Sequence, residues 1–217
     1  MINKSKKKYI LFFRHTGIVS ILLIVLFSGC RAKTPPVSFY TLTPLQAAST
    51  PKNSESSQNI SIGIGPVSLP DFLNKPQIVT RKGSSKIDYS EFHRWGGYLD
   101  KEFLRAISEN LSAILNTNRI KIFPWIEKIE PQYQVRFDIK QFDGNLEGSA
   151  VLNVIWHISV KGQNTNPIFT KRSVIKEAVS DAGYEGLISS YNKILNQLSK
   201  EIAKEILLIA SHDNQSR

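Results

Sequence analysis

Cys30 is the only cysteine of the 217-residue chain, so its thiol cannot close an internal disulfide and is left for another reaction. It follows a leader that begins with lysines, contains no acidic residue and continues as an apolar run over Ile18–Phe27. The small residues Ser28 and Gly29 then precede the cysteine. A basic start, an apolar run and a small-residue end are typical of a secretory signal peptide. The sequence therefore predicts that residues 1–29 are removed on export.

The cysteine placed directly after Ser28 and Gly29 resembles the lipobox of bacterial lipoproteins. The resemblance implies that a diacylglycerol is attached to the Cys30 sulfur as a thioether and that the chain is cleaved between Gly29 and Cys30. Phe27 departs from the pattern, because leucine is commoner three places before the cysteine. An uncleaved membrane anchor is the alternative, although the apolar run is shorter than the roughly 20 residues that span a bilayer.

The net charge of the chain does not indicate a nucleic-acid partner. The whole chain carries +10, with 28 Lys+Arg against 18 Asp+Glu. Five of the cations lie in the leader, so the mature chain has 23 cations against 18 acids, a net charge of +5. Nucleic-acid binding calls for a basic stripe with interleaved aromatic residues, and the sequence after Cys30 has no such cluster.

Side chains for catalysis or metal binding are few. His93, His157 and His212 have no histidine four residues away and no nearby cysteine, so the sequence predicts no metal site. Gly63-Ile64-Gly65 lacks the third glycine of a dinucleotide-binding loop, and hydrolase-elbow and phosphate-loop motifs are missing. We expect no catalytic residue, no enzyme activity and no cofactor other than the covalent lipid on Cys30. An envelope hydrolase that uses His93 with its acidic and basic neighbours is a lesser alternative.

The spacing of the apolar residues predicts an α+β fold. Two stripes at helical spacing indicate long amphipathic helices, one from about Trp95 to Ile114 and one from Tyr184 to Ile209. The last three strands have short connections and should form an antiparallel meander. We expect a mixed, mostly antiparallel sheet that carries both helices on one face. The strands are predicted near 39–42, 60–65, 78–81, 87–89, 120–123, 133–140, 150–160 and 168–179.

The predicted organisation is a cleaved signal peptide at 1–29, a lipidated tether at 30–38, a single domain at 39–211 and a polar tail at 212–217. Residues 43–59 are rich in Ser, Thr, Pro and Asn and predict a flexible loop within the domain. Eight extended residues span at most about 26–29 Å, so the tether would hold the domain close to its membrane.

Phe72 and Leu73 are large apolar residues in an otherwise turn-like segment that begins at Pro70. One interpretation is that they contact a partner protein. The other is that they close the edge of the hydrophobic core. Replacing Phe72 with aspartate distinguishes these interpretations, because a loss of folding without a partner-specific defect favours the second.

Several segments of the mature chain, in their order and spacing, resemble the PqiC/YmbA-type lipoproteins, which are auxiliary subunits of ABC-linked MCE transport systems. The resemblance implies a non-enzymatic lipoprotein that faces the periplasm from the outer membrane of a Gram-negative cell and contributes to envelope integrity. It also implies an MCE-domain protein as partner and self-association into a homo-oligomer. The segments are Phe39–Leu42, Ile62–Leu73, Gln77–Arg81, Glu91–Trp95, Glu109–Ser112, Phe142–Gly144 and the closing helix.

Arg31 supports outer-membrane sorting, because the aspartate of the usual inner-membrane retention signal is missing after Cys30. Two rival functions share the same anchor. The first is a lipoprotein chaperone that assembles another outer-membrane complex, and co-purified partners would identify it. The second is a lipid carrier with a cavity between the helices and the sheet, which predicts bound phospholipid in the purified protein.

Overall fold

The computed structural model describes residues 34–44, 60–125, 131–162, 166–181 and 183–215. The chain divides into two units, Met1–Pro36 and Val37–Arg217, and the fold described below is that of the second unit. The predicted signal peptide, Cys30 and most of the predicted loop at 43–59 lie outside the described residues, as do the last two residues of the predicted polar tail.

Strands and two long helices make up the described part of Val37–Arg217. Trp95 was expected to begin a helical stripe, and this prediction is wrong because Trp95 ends a strand. Gly96 and Gly97 separate it from the helix, whose N-cap residue Tyr98 is extended.

In chain order the elements are β1 Ser38–Tyr40, β2 Ile62–Ser68, β3 Gln77–Lys82, β4 Lys86–Trp95, α1 Leu99–Leu115, β5 Ile120–Ile122, β6 Tyr133–Gly144, β7 Ser149–Val160, β8 Phe169–Ala178 and α2 Tyr184–Gln215.

The sheet is organised around β6. One edge of β6 pairs antiparallel with β7 and β7 pairs antiparallel with β8, so the predicted meander is confirmed. The other edge of β6 is shared, because its first half pairs with β2 and its last residue, Gly144, lies opposite Thr80 of β3. From β2 the sheet continues to β5, and from β3 it continues through β4 to β1.

The sheet is mixed, as expected, but the prediction that it is mostly antiparallel is wrong. The pairings β1–β4, β2–β5, β2–β6 and β3–β6 are all parallel. Alternation of apolar residues shows which face of a strand is buried, but it carries no information on the direction of the neighbouring strand. The α+β class and the two helices are confirmed by the structure.

The glycines of the Ile62–Leu73 segment have a structural explanation. A Cβ atom at Gly63 would collide with the rings of Trp125 and Pro131. Gly65 has φ 108°, a backbone conformation that side chains disfavour. The pairing of β2 with β6 shifts register between Ile64 and Val67, so β2 continues past Pro66 through a bulge instead of ending there as predicted.

Both helices cover the same face of the sheet. Phe103 of α1 packs edge-on against Phe137 of β6, with 5.2 Å between the ring centroids. On the β7–β8 side, the indole N–H of Trp156 donates to Ser173 Oγ at 3.0 Å, and this hydroxyl donates to Glu201 Oε2 of α2 at 2.7 Å. The helix is thereby attached to the meander by polar contacts as well as by apolar burial.

A charged contact connects the segment just after β1 to α1. The backbone N–H of Leu42, a residue with no exposed surface, donates to Glu102 Oε2 at 3.1 Å. Arg105 pairs with the same carboxylate at 2.8 Å and donates to the Leu42 carbonyl oxygen. Together the two side chains satisfy both backbone groups of Leu42.

We expect Glu102→Ala to lower the free energy of unfolding by about 1–3 kcal/mol, because it leaves the Leu42 N–H without its acceptor. Glu109→Ala is the matched control. It removes the other acidic partner of Arg105, but that carboxylate is about half exposed and its ion pair contributes less than about 1 kcal/mol. Urea unfolding of both variants provides the measurement, and equal losses would contradict the expectation.

Candidate functional site

The predicted lipid attachment at Cys30 and the predicted cleavage between Gly29 and Cys30 lie outside the described residues, so both stay predictions. None of the helices in the described ranges is long and apolar enough to cross a membrane. Within these ranges the candidate site is built from the segments that carry the family resemblance.

Phe72 and Leu73 lie in the turn that follows β2. The N–H of Leu73 donates to the Pro70 carbonyl oxygen at 2.9 Å, which closes the turn. Leu73 is 1% exposed and belongs to the core, whereas Phe72 is partly buried and packs against the core. The guanidinium carbon of Arg81 lies 6.0 Å from the Phe72 ring centroid. Packing explains the position of Leu73, and Phe72 is the member of the pair with surface available to a partner.

Arg81 and Asp143 form a buried ion pair beneath this turn. Arg81 Nε donates to Asp143 Oδ1 at 2.9 Å and Nη2 donates to Oδ2 at 2.6 Å, so the guanidinium grips both carboxylate oxygens. The amide of Gln141 donates to Oδ1 at 2.7 Å. The Asp143 side chain has no exposed surface and that of Arg81 is 23% exposed. The carboxylate is thus fully desolvated and fully hydrogen-bonded.

The pairing of β3 with β6 brings these two charges together. Thr80 lies opposite Gly144 in this parallel pairing, and Arg81 and Asp143 are the chain neighbours of these two residues. The Arg81 side chain reaches diagonally across the two strands to the Asp143 carboxylate. The hydrogen bond to Asp143 raises the pKa of Arg81 above its ordinary value, while burial opposes this rise. Burial, with a smaller contribution from Asp143, raises the pKa of Tyr191 well above its ordinary value, so this phenol stays neutral. The Arg81–Asp143 pair joins β3 to β6.

A cavity of about 200 Å³ borders Arg81. Ligand pockets in proteins usually measure about 300–1,000 Å³, so this cavity is small for a lipid or a drug-sized molecule. Its lining residues are Thr80, Arg81, Lys82, Asn145, Leu146 and Glu147.

His93 and His157 are each held by neighbouring side chains. The hydroxyl of Ser90 lies 3.0 Å from His93 Nδ1, and the same oxygen accepts the backbone N–H of His93 at 3.1 Å. The His93 ring stacks on Tyr184 with 3.8 Å between centroids, so these contacts hold the ring against the start of α2. His157 Nδ1 lies 2.9 Å from the hydroxyl of Thr170 on the outer face of the sheet. Among the described residues, no group of three or more His, Cys, Asp or Glu side chains could hold a metal ion.

Sequence reasoning missed the Arg81–Asp143 pair, although both residues lie in segments that carry the family resemblance. An arginine and an aspartate of opposite charge in two separate family segments were the available signal. Sixty-two positions separate them in the chain, and nothing in the local pattern of either strand predicts that the two strands are neighbours.

Comparisons with known proteins agree with this fold. Residues 40–203 match the family of ABC-type transport auxiliary lipoprotein components. Intermembrane transport lipoprotein PqiC of Escherichia coli is 22% identical over 184 residues, covering 82% of this chain and 91% of the relative, and the Shigella flexneri protein of that name matches equally. The fold is similar to a crystal structure of an uncharacterized protein, with TM-score 0.64, 18% identity and coverage of 79% and 99% of the two chains.

A crystal structure of protein XCC0632 from Xanthomonas campestris is also similar, with TM-score 0.67, 13% identity and coverage of 82% of this chain and 99% of that one. The resemblance drawn from the sequence segments is confirmed by the family match, which spans most of the described domain. This family consists of transport auxiliary components and is not one of known enzymes. The chain belongs to the family of ABC-type transport auxiliary lipoprotein components.

Proposed function

We propose that this chain is a periplasm-facing lipoprotein, anchored in the outer membrane by lipid on Cys30, that serves as a docking subunit of an MCE-type intermembrane lipid transport system. In this role it contributes to envelope integrity and catalyses no reaction. The observation that carries the proposal is the family match over residues 40–203, which joins a transport-auxiliary domain to a leader that ends in a lipobox-like sequence.

The relative from Escherichia coli is named an intermembrane transport lipoprotein, which supports transport between membranes as the process served. The absence of aspartate after Cys30 supports sorting to the outer membrane. The proposed partner is a periplasmic MCE-domain protein, and the proposed assembly is a homo-oligomer around it. Phe72, with its partly exposed ring beside Arg81, is the proposed partner contact, and the buried Leu73 positions it.

The test is purification of the tagged lipoprotein from gently solubilised envelopes, with its partners identified by mass spectrometry. We expect an MCE-domain protein to co-purify with the unaltered chain. Arg31→Asp should retain the lipoprotein at the inner membrane and abolish this recovery, because the partner-facing domain is then held at the wrong membrane. Arg31→Lys keeps the charge and is the matched control, with recovery unchanged.

Phe72→Asp tests the contact within the same experiment. A folded Phe72→Asp protein that reaches the outer membrane and recovers no MCE-domain protein supports the contact. A protein that fails to fold instead shows that Phe72 closes the core edge. Recovery of an outer-membrane barrel or secretion channel in place of the MCE-domain protein would contradict the proposal and identify an assembly chaperone. Phospholipid bound to the purified protein would identify a lipid carrier.

A further inference from the structure

Three exposed apolar side chains lie where the chain enters the domain. Val37 precedes β1 and is 39% exposed, Phe39 within β1 is 67% exposed, and Tyr98 at the start of α1 is 75% exposed. We call these residues the β1 patch. Most large apolar side chains of the described domain are instead packed in or against the core, so exposure of two aromatic rings in one region indicates a contact surface.

Backbone contacts bring the members of the β1 patch to the same end of the domain. Phe39 lies opposite Arg94 in the parallel pairing of β1 with β4, and the N–H of Gly96 donates to the Tyr40 carbonyl oxygen at 2.7 Å. The Tyr98 carbonyl oxygen accepts the N–H of Glu102, whose carboxylate binds Leu42 just after β1. β1 is an edge strand of the sheet, so its outer side has no strand neighbour among the described residues.

The length of chain between the patch and the proposed lipid anchor limits what can cover it. Seven residue steps separate Cys30 from Val37, and even fully extended they span at most about 23–25 Å. A lipid-anchored chain therefore keeps Val37, the first residue of the β1 patch, within this distance of the lipidated cysteine. Other exposed apolar side chains, such as Val174 on β8 and Leu207 on α2, belong to elements far from the tether in the chain.

The energetics favour a bilayer as the occupant. Removing a single phenylalanine side chain from water contributes too little free energy to hold a free protein on a membrane. A tether converts this weak contact into an intramolecular one, since it keeps the patch at a high effective concentration near the surface. Tyrosine rings are also enriched at the membrane–water interface, where an apolar ring and a polar hydroxyl are both satisfied.

We propose that the β1 patch inserts into the interfacial region of the bilayer that carries the lipid anchor, so that the domain rests on its membrane in one orientation. This inference rests on the Cys30 anchor of the proposed function. The anchor holds the protein at the membrane, and Phe39 and Tyr98 fix which side of the domain faces it. The opposite end of the domain is then the one presented to the periplasm.

The experiment uses the acylated full-length mature protein, purified from envelopes and reconstituted into phosphatidylethanolamine–phosphatidylglycerol vesicles. Because acylation consumes the only native thiol, Phe39→Cys introduces a single free thiol for an environment-sensitive NBD label. Val174→Cys on β8, where the native residue is 63% exposed, is the matched control. Tyr98→Cys is a second position in the patch and guards against a local loss of β1 pairing.

We expect labels at positions 39 and 98 to shift their emission to shorter wavelength and to lose about half of it to spin-labelled lipids, since interfacial groups lie roughly 5–10 Å deep. The label at position 174 should be unaffected. Equal quenching at all three positions overturns the inference. A label at 39 that is shielded from water but not quenched by lipid also overturns it, because a second copy then covers the patch. A mature mass without acyl chains overturns both the anchor and this inference. An acylated protein whose labels at 39 and 98 are not quenched overturns this inference alone, so the two failures are distinguishable.

Discussion

Arg81→Met is expected to lower the free energy of unfolding by about 3–5 kcal/mol, the usual result of removing one partner from a buried ion pair. The Asp143 side chain has no exposed surface, so its carboxylate loses its charged partner at a position shielded from solvent. The amide of Gln141 would remain as a donor to Oδ1, but a neutral amide replaces neither the positive charge nor the second hydrogen bond. Chemical unfolding monitored by circular dichroism provides the measurement.

Lys82→Met is the matched control for this variant. The neighbouring lysine also pairs with an aspartate, Asp88, at 2.7 Å, but its side chain is 67% exposed. Exposed ion pairs contribute little to stability because solvent screens their charges, so the same substitution one position along the chain should have little effect. A loss at Arg81 no larger than the loss at Lys82 would show that the pair is not effectively buried. The double variant Arg81→Met with Asp143→Asn should recover stability, because it also removes the buried charge.

Cys30→Ser is expected to remove the protein from the outer membrane entirely. The lipobox resemblance implies that acylation of the thiol precedes cleavage, and a serine oxygen does not form the thioether. The variant should therefore keep residues 1–29 and remain at the inner membrane through the apolar run at Ile18–Phe27. Membrane fractionation and intact mass spectrometry measure both effects, since the precursor is heavier by the leader and lighter by the acyl chains.

Ser28→Ala is the control for the cysteine variant, because it preserves a small residue before the cleavage position. It should be processed and sorted normally. If Cys30→Ser were cleaved and recovered at the outer membrane like the unaltered protein, the lipid anchor would be excluded, and the proposed docking role and the contact of the β1 patch with lipid would fail with it. Recovery of an uncleaved and unacylated native chain would instead identify a membrane anchor of the single-span type.

Much of the fold could be predicted because burial of one face of a strand or helix gives the sequence a periodic pattern of apolar residues. The alternation in β6 and β7 and the helical stripe from Tyr184 locate those elements correctly, since their side chains repeat with the period of the backbone. The same reliance on spacing wrongly assigned Trp95 to the start of a helix. Its spacing to Leu99 fits a helix, but Gly96 and Gly97 interrupt the backbone, and the tryptophan is buried from the end of β4 instead.

The sequence by itself is the whole basis of the predicted lipid anchor, because the leader and Cys30 are recognised by local residue order and not by folding. It also determined the α+β class and the segments that identify the family. Only the tertiary structure decided that β2 and β3 share one edge of β6, that Arg81 reaches Asp143, and that Leu73 is buried while Phe39 is exposed. These features depend on which distant segments pack together, and the cost of burying a charge or exposing an apolar ring is set by those neighbours.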